Sequence, residues 1–253
     1  MVNQDLLHRL QILKKFNPRC IFILCGGKEQ LPPIEENRNE ETDVFNHPIV
    51  LYLSHNNRIE LTEMKRYDRP LWNYLERGYE SGDWSGLPTQ KIQPKDLINN
   101  RAICYYNKTR KRINRWAMEA LKPEGAIYLK NDDEENDKAD DVYLYSGLPI
   151  MSITNNKDYE LINSDEYIVC EVENDTILIV EDGEEHKPLE IGKEEFHKLF
   201  VANYIATTHK SQGATYFNNI YLFDKLKMEC DRRIIYTAVS RGTALNKIFI
   251  GKV

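Results

Sequence analysis

Ten residues near the end of the chain constrain it more than any other stretch: Ala206-Thr207-Thr208-His209-Lys210-Ser211-Gln212-Gly213-Ala214-Thr215. Tyr204 to Ala206 close a short apolar run that reads as a strand. Positions 207–212 then carry six hydrogen-bonding side chains in a row, ahead of Gly213. A hydroxyl-rich loop at a strand's carboxyl end suits phosphate or sugar oxygens, because side chains and backbone N–H groups can converge there. Residues 218–223 read as another buried strand, 232–240 as a helix, and 246–250 as a further strand. Arg241 falls at the helix end beside Gly242, where it could reach a neighbouring domain.

The rest of the chain sets bounds. Its 253 residues suffice for one large or two modest domains with a real core. No stretch approaches the roughly 18 uninterrupted apolar residues of a membrane span. Asp5, His8 and Arg9 interrupt the first apolar run, so no signal peptide is expected. Five cysteines without CxxC spacing argue for a reducing compartment and against a disulfide frame or zinc site. These features predict an intracellular protein, nuclear or cytoplasmic, not secreted and with no membrane partner. Loops rich in Asn, Lys and Glu hint at an AT-rich genome, such as a viral one.

Net charge is −6, but its distribution matters more. Residues 132–141 hold seven acids against Lys138 alone, a net −6 by themselves and most simply a disordered acidic loop. Residues 101–115 carry six basic residues and no acid, and a local basic patch can bind phosphates on an acidic protein.

Along the chain, Leu6, Leu7, Leu10 and Leu13 predict an amphipathic helix over Gln4–Phe16. Residues 19–25 read as a buried strand, and Gly26 to Ile34 as a glycine turn with a proline-stiffened exit. Residues 61–67 read as a strand leading to a helix with Asp68 as N-cap, through Pro70, Leu71, Trp72 and Leu75 to Gly78. Residues 87–94 look like a polar linker. Residues 101–105 predict a strand. A helix follows, with Ile113, Trp116, Ala117, Ala120 and Leu121 on its apolar face and its basic residues at the start. That basic start is either a solvated face or a contact to an anion. Residues 122–200 contain short strands at 126–129, 142–145, 149–154, 166–172 and 176–180, separated by turn residues. They suggest a small antiparallel barrel or meander.

The stretches "T-x-H-K-S-Q-G" at 207–213 and "Y-T-A-V-S-R" at 236–241 resemble motifs V and VI of superfamily 1 helicases. The likeness is in particular to the RecD/Dda-like group with a UvrD-type C-terminal domain. Gly26, Gln30, Leu31, Pro32 and Pro33 resemble motif III, with Gly27 where the family usually has Asp. Arg66 is similar to the arginine of motif IV, though by residues alone it is a surface arginine beside Lys65. Asn107 to Asn114 resembles "T-N-x-x-x-x-x-I-N", with Tyr106 in place of the threonine. "G-L-P-I-M-S-I-T-N-N" looks like a strand of the small Src-homology-type barrel inserted in related helicases. Walker A, G-x-x-x-x-G-K-[ST], appears nowhere in the sequence.

The resemblance implies an α/β fold of three parts. Residues 1–60 would be the end of a first RecA-like lobe. Residues 61–121 and 201–253 would form a second RecA-like lobe, and 122–200 a small β-barrel-like insertion. It implies the C-terminal half of an ATP-dependent DNA helicase that translocates on single-stranded DNA and unwinds duplex, 5′ to 3′ as in the group it most resembles. ATP would lie between lobes, met by Gln30, Arg66, Gly213 and Arg241. Arg241 would be the arginine finger, Gln30 the γ-phosphate sensor, and Arg66 a phosphate contact. Thr208, His209, Lys210, Gln212, Thr215, Asn107, Lys108 and Arg110 would meet the DNA strand. The magnesium ligands are expected on a missing N-terminal lobe, supplied in cis or in trans, so no metal ligand is assigned to this chain. Hydrolysis by this chain alone is not expected. Two alternatives stand beside this reading: a non-catalytic nucleic-acid-binding module, and an interaction subunit completing a separate Walker-containing chain.

Overall fold

The computed structural model describes residues 4–27, 29, 46–131, 140–182 and 188–253. The chain divides into two compact units, residues 1–67 and 68–253.

The first unit contains α1 (Gln4–Phe16) and α2 (Pro48–Leu53). Leu7, Ile49 and Leu53 form its small buried cluster, with Leu10, Phe22 and Val50 against it. Lys14 is buried, and its Nζ donates to the carbonyls of Pro18 and Cys20 at 3.0 and 2.6 Å, turning the chain after α1. Two expected strands do not form. Residues 19–25 and 61–67 are irregular, and Ile21, Ile23 and Leu61 are 86%, 85% and 90% exposed. A strand needs a neighbour for its backbone hydrogen bonds, and among the described residues neither segment pairs with another strand. Gln30 and the Leu31-Pro32-Pro33 run lie outside the described residues, as does most of the acidic run, 132–139.

The second unit opens with α3 (Arg69–Ser81). Asp68 caps it by accepting from the Leu71 amide at 2.8 Å, Pro70 sits in its first turn, and Gly82 ends it at φ +76°. The helix thus runs one turn past the expected stop at Gly78. Gly78 is there for packing: a Cβ would meet the Trp84 ring at 2.4 Å.

Five strands then build a parallel sheet: β1 (Thr89–Lys91), β2 (Arg101–Cys104), β10 (Ile205–Thr207), β11 (Ile220–Leu222) and β12 (Ile248–Lys252). Their order is β1-β12-β11-β2-β10. Residues 87–94, expected as a linker, therefore supply the edge strand β1, which adds to β12 with Thr89 opposite Ile250. Its composition is polar because an edge strand needs no two-sided apolar face.

Between β2 and β10 come α4 (Asn107–Leu121), the pair β3 (Ile127–Leu129) and β4 (Val142–Leu144), then β5 (Pro149–Ser152), β6 (Glu166–Val172), β7 (Thr176–Glu181), β8 (Leu189–Gly192), α5 (Phe196–Leu199) and β9 (Phe200–Ala202). The antiparallel sheet has order β8-β7-β6-β5-β9, with Ile150 opposite both Tyr167 and Ala202. Short α6 (Lys225–Met228) and α7 (Arg232–Val239) link β11 to β12. The fold is α/β, a parallel sheet with flanking helices carrying a separate antiparallel half-barrel. One apolar core joins both sheets. Ala102 and Tyr221 of the first, Ile113 and Ala117 of α4, and Val169 and Ile179 of the second belong to the same buried cluster. Each buried Ile or Val side chain there contributes about 1.5–3 kcal/mol by leaving water.

Candidate nucleic-acid and phosphate site

All five strands of the first sheet run the same way. Their carboxyl ends therefore open on one edge. The chain leaves β2 for β10 on one side and then crosses to β11 on the other. Ligands of open α/β sheets bind where strand order reverses in this manner, beyond the strand ends. Three segments meet there: Tyr105–Tyr106 after β2, the 208–215 loop after β10, and Phe223–Asp224 after β11.

The 208–215 loop is shaped from within. Thr208 is 1% exposed; its amide and hydroxyl both donate to the Cys104 carbonyl, at 2.9 and 3.3 Å. Ser211 is fully buried and its hydroxyl donates to the Thr208 carbonyl at 2.9 Å. Gly213 takes φ +99°, a left-handed conformation that disfavours a side chain. The polar run thus splits in two. Thr208 and Ser211 hold the backbone, while His209, Lys210, Gln212 and Thr215 are partly exposed. As a direct phosphate contact Thr208 is corrected to a loop-shaping residue, because its hydroxyl faces inward. Lys210 Nζ donates to Asn163 Oδ1 at 2.5 Å, tying the loop to the β5–β6 turn.

Arg241 is folded back onto this loop. It is 7% exposed, with Nε donating to the Thr237 carbonyl at 2.9 Å, Nη1 to the Ala214 carbonyl at 3.1 Å and Nη2 to Ser240 Oγ at 2.9 Å. Its own carbonyl accepts from the Tyr216 amide at 2.8 Å. The two sequence motifs are thereby one structural object, since the guanidinium of the second fixes the carbonyl of the first. The expected reach of Arg241 out of its own domain is not the arrangement in this structure.

Residues to which the sequence assigns no role complete the frame. Asn114, buried in α4, accepts from the Tyr204 and Ile205 amides at 2.9 and 3.1 Å. Its Nδ2 donates to the Ala202 and Ile205 carbonyls at 2.9 and 3.3 Å. Asp224, held at φ +57°, accepts from the Tyr105 and Tyr106 amides at 3.3 and 3.1 Å and from Thr109 Oγ1 at 3.1 Å. It holds the turn into α4 from another strand, so no local pattern announces it. Its signal is an aspartate closing an apolar strand, Tyr221-Leu222-Phe223-Asp224.

A third tie joins the two sheets. Arg101 at the start of β2 pairs with Glu166 at 3.2 Å and with Asp182, and Tyr216 donates to Glu166 at 2.8 Å. Burial lowers the Arg101 pKa, but Glu166 and Asp182 outweigh it and the net shift is upward. Burial, then Glu166, pushes the Tyr216 phenol well above its ordinary value.

The basic stretch is less available than its composition suggests. Arg110 is 6% exposed, with Nε on Asn107 Oδ1 at 3.3 Å and Nη2 on Asp140 at 3.1 Å. Lys111 also meets Asp140, at 3.0 Å, and Arg115 meets Asp141 at 3.4 Å. Asp140 and Asp141 close the acidic run, so the two oppositely charged segments pair within the chain. Arg110 is therefore a helix-fixing residue in this structure, because its guanidinium is already neutralised. Asn107 and Lys108 remain exposed at the start of α4. In the first unit, Arg66 is exposed beside Tyr67, with Nη2 donating to its hydroxyl at 3.1 Å. Among the described residues no group of three or more His, Cys, Asp and Glu is placed to hold a metal ion. No helix among them is long and apolar enough to cross a membrane.

Solved structures supply the likeness. The chain matches Pif1 helicase from Candida albicans over its whole length, with TM-score 0.62 and 16% identity, covering 70% of that chain. Its fold is that of the Pif1 helicases. The Bacteroides Pif1 helicase in complex with ADP-AlF3 and single-stranded DNA also matches the whole chain, with TM-score 0.61 and 17% identity, covering 68% of that chain. A third match is a Pif1 structure on DNA unwinding at forked double-stranded DNA by two coordinating helicases. There the TM-score is 0.58 at 20% identity, over 77% of this chain and 50% of that one. The present chain thus matches between 50% and 70% of the length of these Pif1 chains. No family model matches the sequence, and no curated protein matches it.

Proposed function

We propose that this chain is the C-terminal half of an ATP-dependent superfamily 1 DNA helicase. In it, residues 1–60 would close a first RecA-like lobe, and 61–121 with 201–253 would form the second, around the insertion 122–200. The observation that carries the reading is the locking of the 208–215 loop to Arg241 at the carboxyl edge of the parallel sheet. A change in phosphate contacts at Arg241 would move the Ala214 carbonyl, and with it the loop that bears Lys210 and Gln212. Such a linkage is what coupling ATP hydrolysis to a step along a strand requires.

On this reading, His209, Lys210, Gln212, Thr215, Asn107 and Lys108 face the sugar–phosphate backbone of single-stranded DNA or a fork. Backbone contacts position a strand without reading its sequence. Arg241, Arg66, Gln30 and Gly213 serve ATP. The phosphate cradle and the magnesium ligands come from an N-terminal lobe, in cis or in trans, and movement runs 5′ to 3′.

The test is a titration of the purified chain with a labelled single strand at two salt concentrations, alongside ATP turnover. The expected result is binding whose log K falls with log salt by about 0.7 per phosphate neutralised, with turnover only after a Walker-bearing lobe is added. Binding without salt dependence, or none, overturns the reading. Turnover by the chain alone overturns the division of labour.

One observation favours a second reading, a non-catalytic nucleic-acid-binding module: Arg241 already makes three hydrogen bonds inside the chain. In that case salt-dependent strand binding remains, and no added Walker-bearing lobe brings turnover.

A further inference from the structure

Tyr105 and Tyr106 have no part in the proposed ATP or DNA-backbone contacts. Their rings stand edge to face, centroids 4.9 Å apart at 90°. Tyr106 is 37% exposed at the carboxyl edge of the sheet, where an aromatic side chain can serve an interface as well as a core. Two cations flank the pair. Lys108 Nζ is 5.2 Å from the Tyr106 centroid and Lys227 Nζ is 5.9 Å from that of Tyr105. The backbone beneath is fixed, because Asp224 accepts from both tyrosine amides. The pair is also next to the candidate phosphate loop: Cys104 pairs with Thr207, and its carbonyl holds the Thr208 amide.

We propose that Tyr105 and Tyr106 form a base-stacking step, on which a nucleobase of a single DNA strand rests while Lys108 meets its phosphate. A rigid aromatic face costs little ordering on binding, and any base can stack on it. The proposal rests on the nucleic-acid reading above and adds a contact to bases that backbone binding alone does not supply.

The experiment compares a labelled oligothymidylate with an abasic strand of equal length, by fluorescence anisotropy, on the wild-type chain and on Tyr106→Phe and Tyr106→Leu. Expected is a wild-type preference for the base-bearing strand of about tenfold, the size of one base–aromatic stack. Tyr106→Phe keeps that preference. Tyr106→Leu loses it, while its affinity for the abasic strand stays at the wild-type level. Equal wild-type affinity for the two strands overturns the stacking step, whatever the variants' stability, and leaves the backbone-binding reading standing. An undiminished preference in Tyr106→Leu, folded by its urea midpoint, also overturns it. Failure of the wild type to bind either strand removes the reading and the proposal together.

Discussion

Asn114→Ala should be among the most damaging single changes in the second unit. The side chain accepts from the Tyr204 and Ile205 amides and donates to the Ala202 and Ile205 carbonyls, at 2% exposure. Alanine leaves two amide hydrogens unpaired in a dry site, at about 1–3 kcal/mol each, and the lost carbonyl contacts add to that. Allowing for local relaxation, the expected loss is about 3–4 kcal/mol, a large part of a stability of about 5–15 kcal/mol. With an m-value of about 2 kcal/mol/M, the urea midpoint falls by roughly 1.5–2 M. Thr208→Val is the control: it removes one hydroxyl bond of 3.3 Å and should cost about 1 kcal/mol. Amide exchange adds a local reading, since Tyr204 and Ile205 should lose protection in Asn114→Ala ahead of the rest of the sheet. A loss below about 1 kcal/mol, or no change in exchange at those two amides, would refute the claim that this asparagine holds the β9–β10 corner.

Gly78→Ala tests packing against helix propensity. Propensity alone predicts a gain of about 1 kcal/mol, but a Cβ 2.4 Å from the Trp84 ring should turn it into a loss of about 1–3 kcal/mol in urea unfolding. Thiol labelling of the native chain should modify exposed Cys25, Cys170 and Cys230 first. Cys104 should react only on unfolding, because burial pushes its thiol up to about 12 and the thiolate is the reactive form. Tyr216→Phe removes a 2.8 Å bond to Glu166 and should cost about 1–1.5 kcal/mol at neutral pH. It should also flatten the fall in stability on the alkaline side. The raised folded pKa of Tyr216 stabilises the fold fully below the ordinary value of 10.0, and that contribution is lost as pH rises above it. Equal alkaline slopes for the two proteins in urea titrations would count against that assignment.

How much of the fold is legible in the sequence depends on the range of the interactions. The boundaries of α1 and β6 follow from apolar spacing and turn residues, and the Asp68 cap from an aspartate before Arg-Pro. Those are local signals. β1 escapes such reasoning because edge pairing with β12 leaves a polar strand, which has the composition of a loop. Residues 19–25 and 61–67 depart in the opposite sense: apolar content suggests a strand, but the ladder needs a neighbour. In the candidate site, the polar run and Arg241 are visible as residue types. Which side chains face inward is not, because Thr208 and Ser211 have the same chemistry as the partly exposed Thr215. Asp224 lies more than a hundred positions from the tyrosine amides it binds, so only the parallel register of β11 against β2 brings it there.

What Arg241 can be asked to do is decided by the acceptors around it. Its guanidinium sends one N–H each to the Thr237 carbonyl, the Ala214 carbonyl and Ser240 Oγ. A planar fork can hold three acceptors at fixed angles, and an ammonium cannot. Arg241→Lys keeps the charge and should lose one or two of these bonds, costing about 1–3 kcal/mol in urea unfolding. If the side chain only fixes the loop, the lysine variant should weaken single-strand binding and destabilise the chain, while turnover in the reconstituted helicase falls by a small factor that tracks binding. If it also meets the transferring phosphoryl group, turnover should fall about 10³-fold or more, far beyond the loss of binding, because the missing bidentate contact is then felt in the chemical step. The two losses scale differently, so measuring stability, affinity and turnover on one variant separates them. Turnover lost in proportion to stability, and recovered when a stabilising change elsewhere restores the urea midpoint, would exclude a finger and leave a structural arginine.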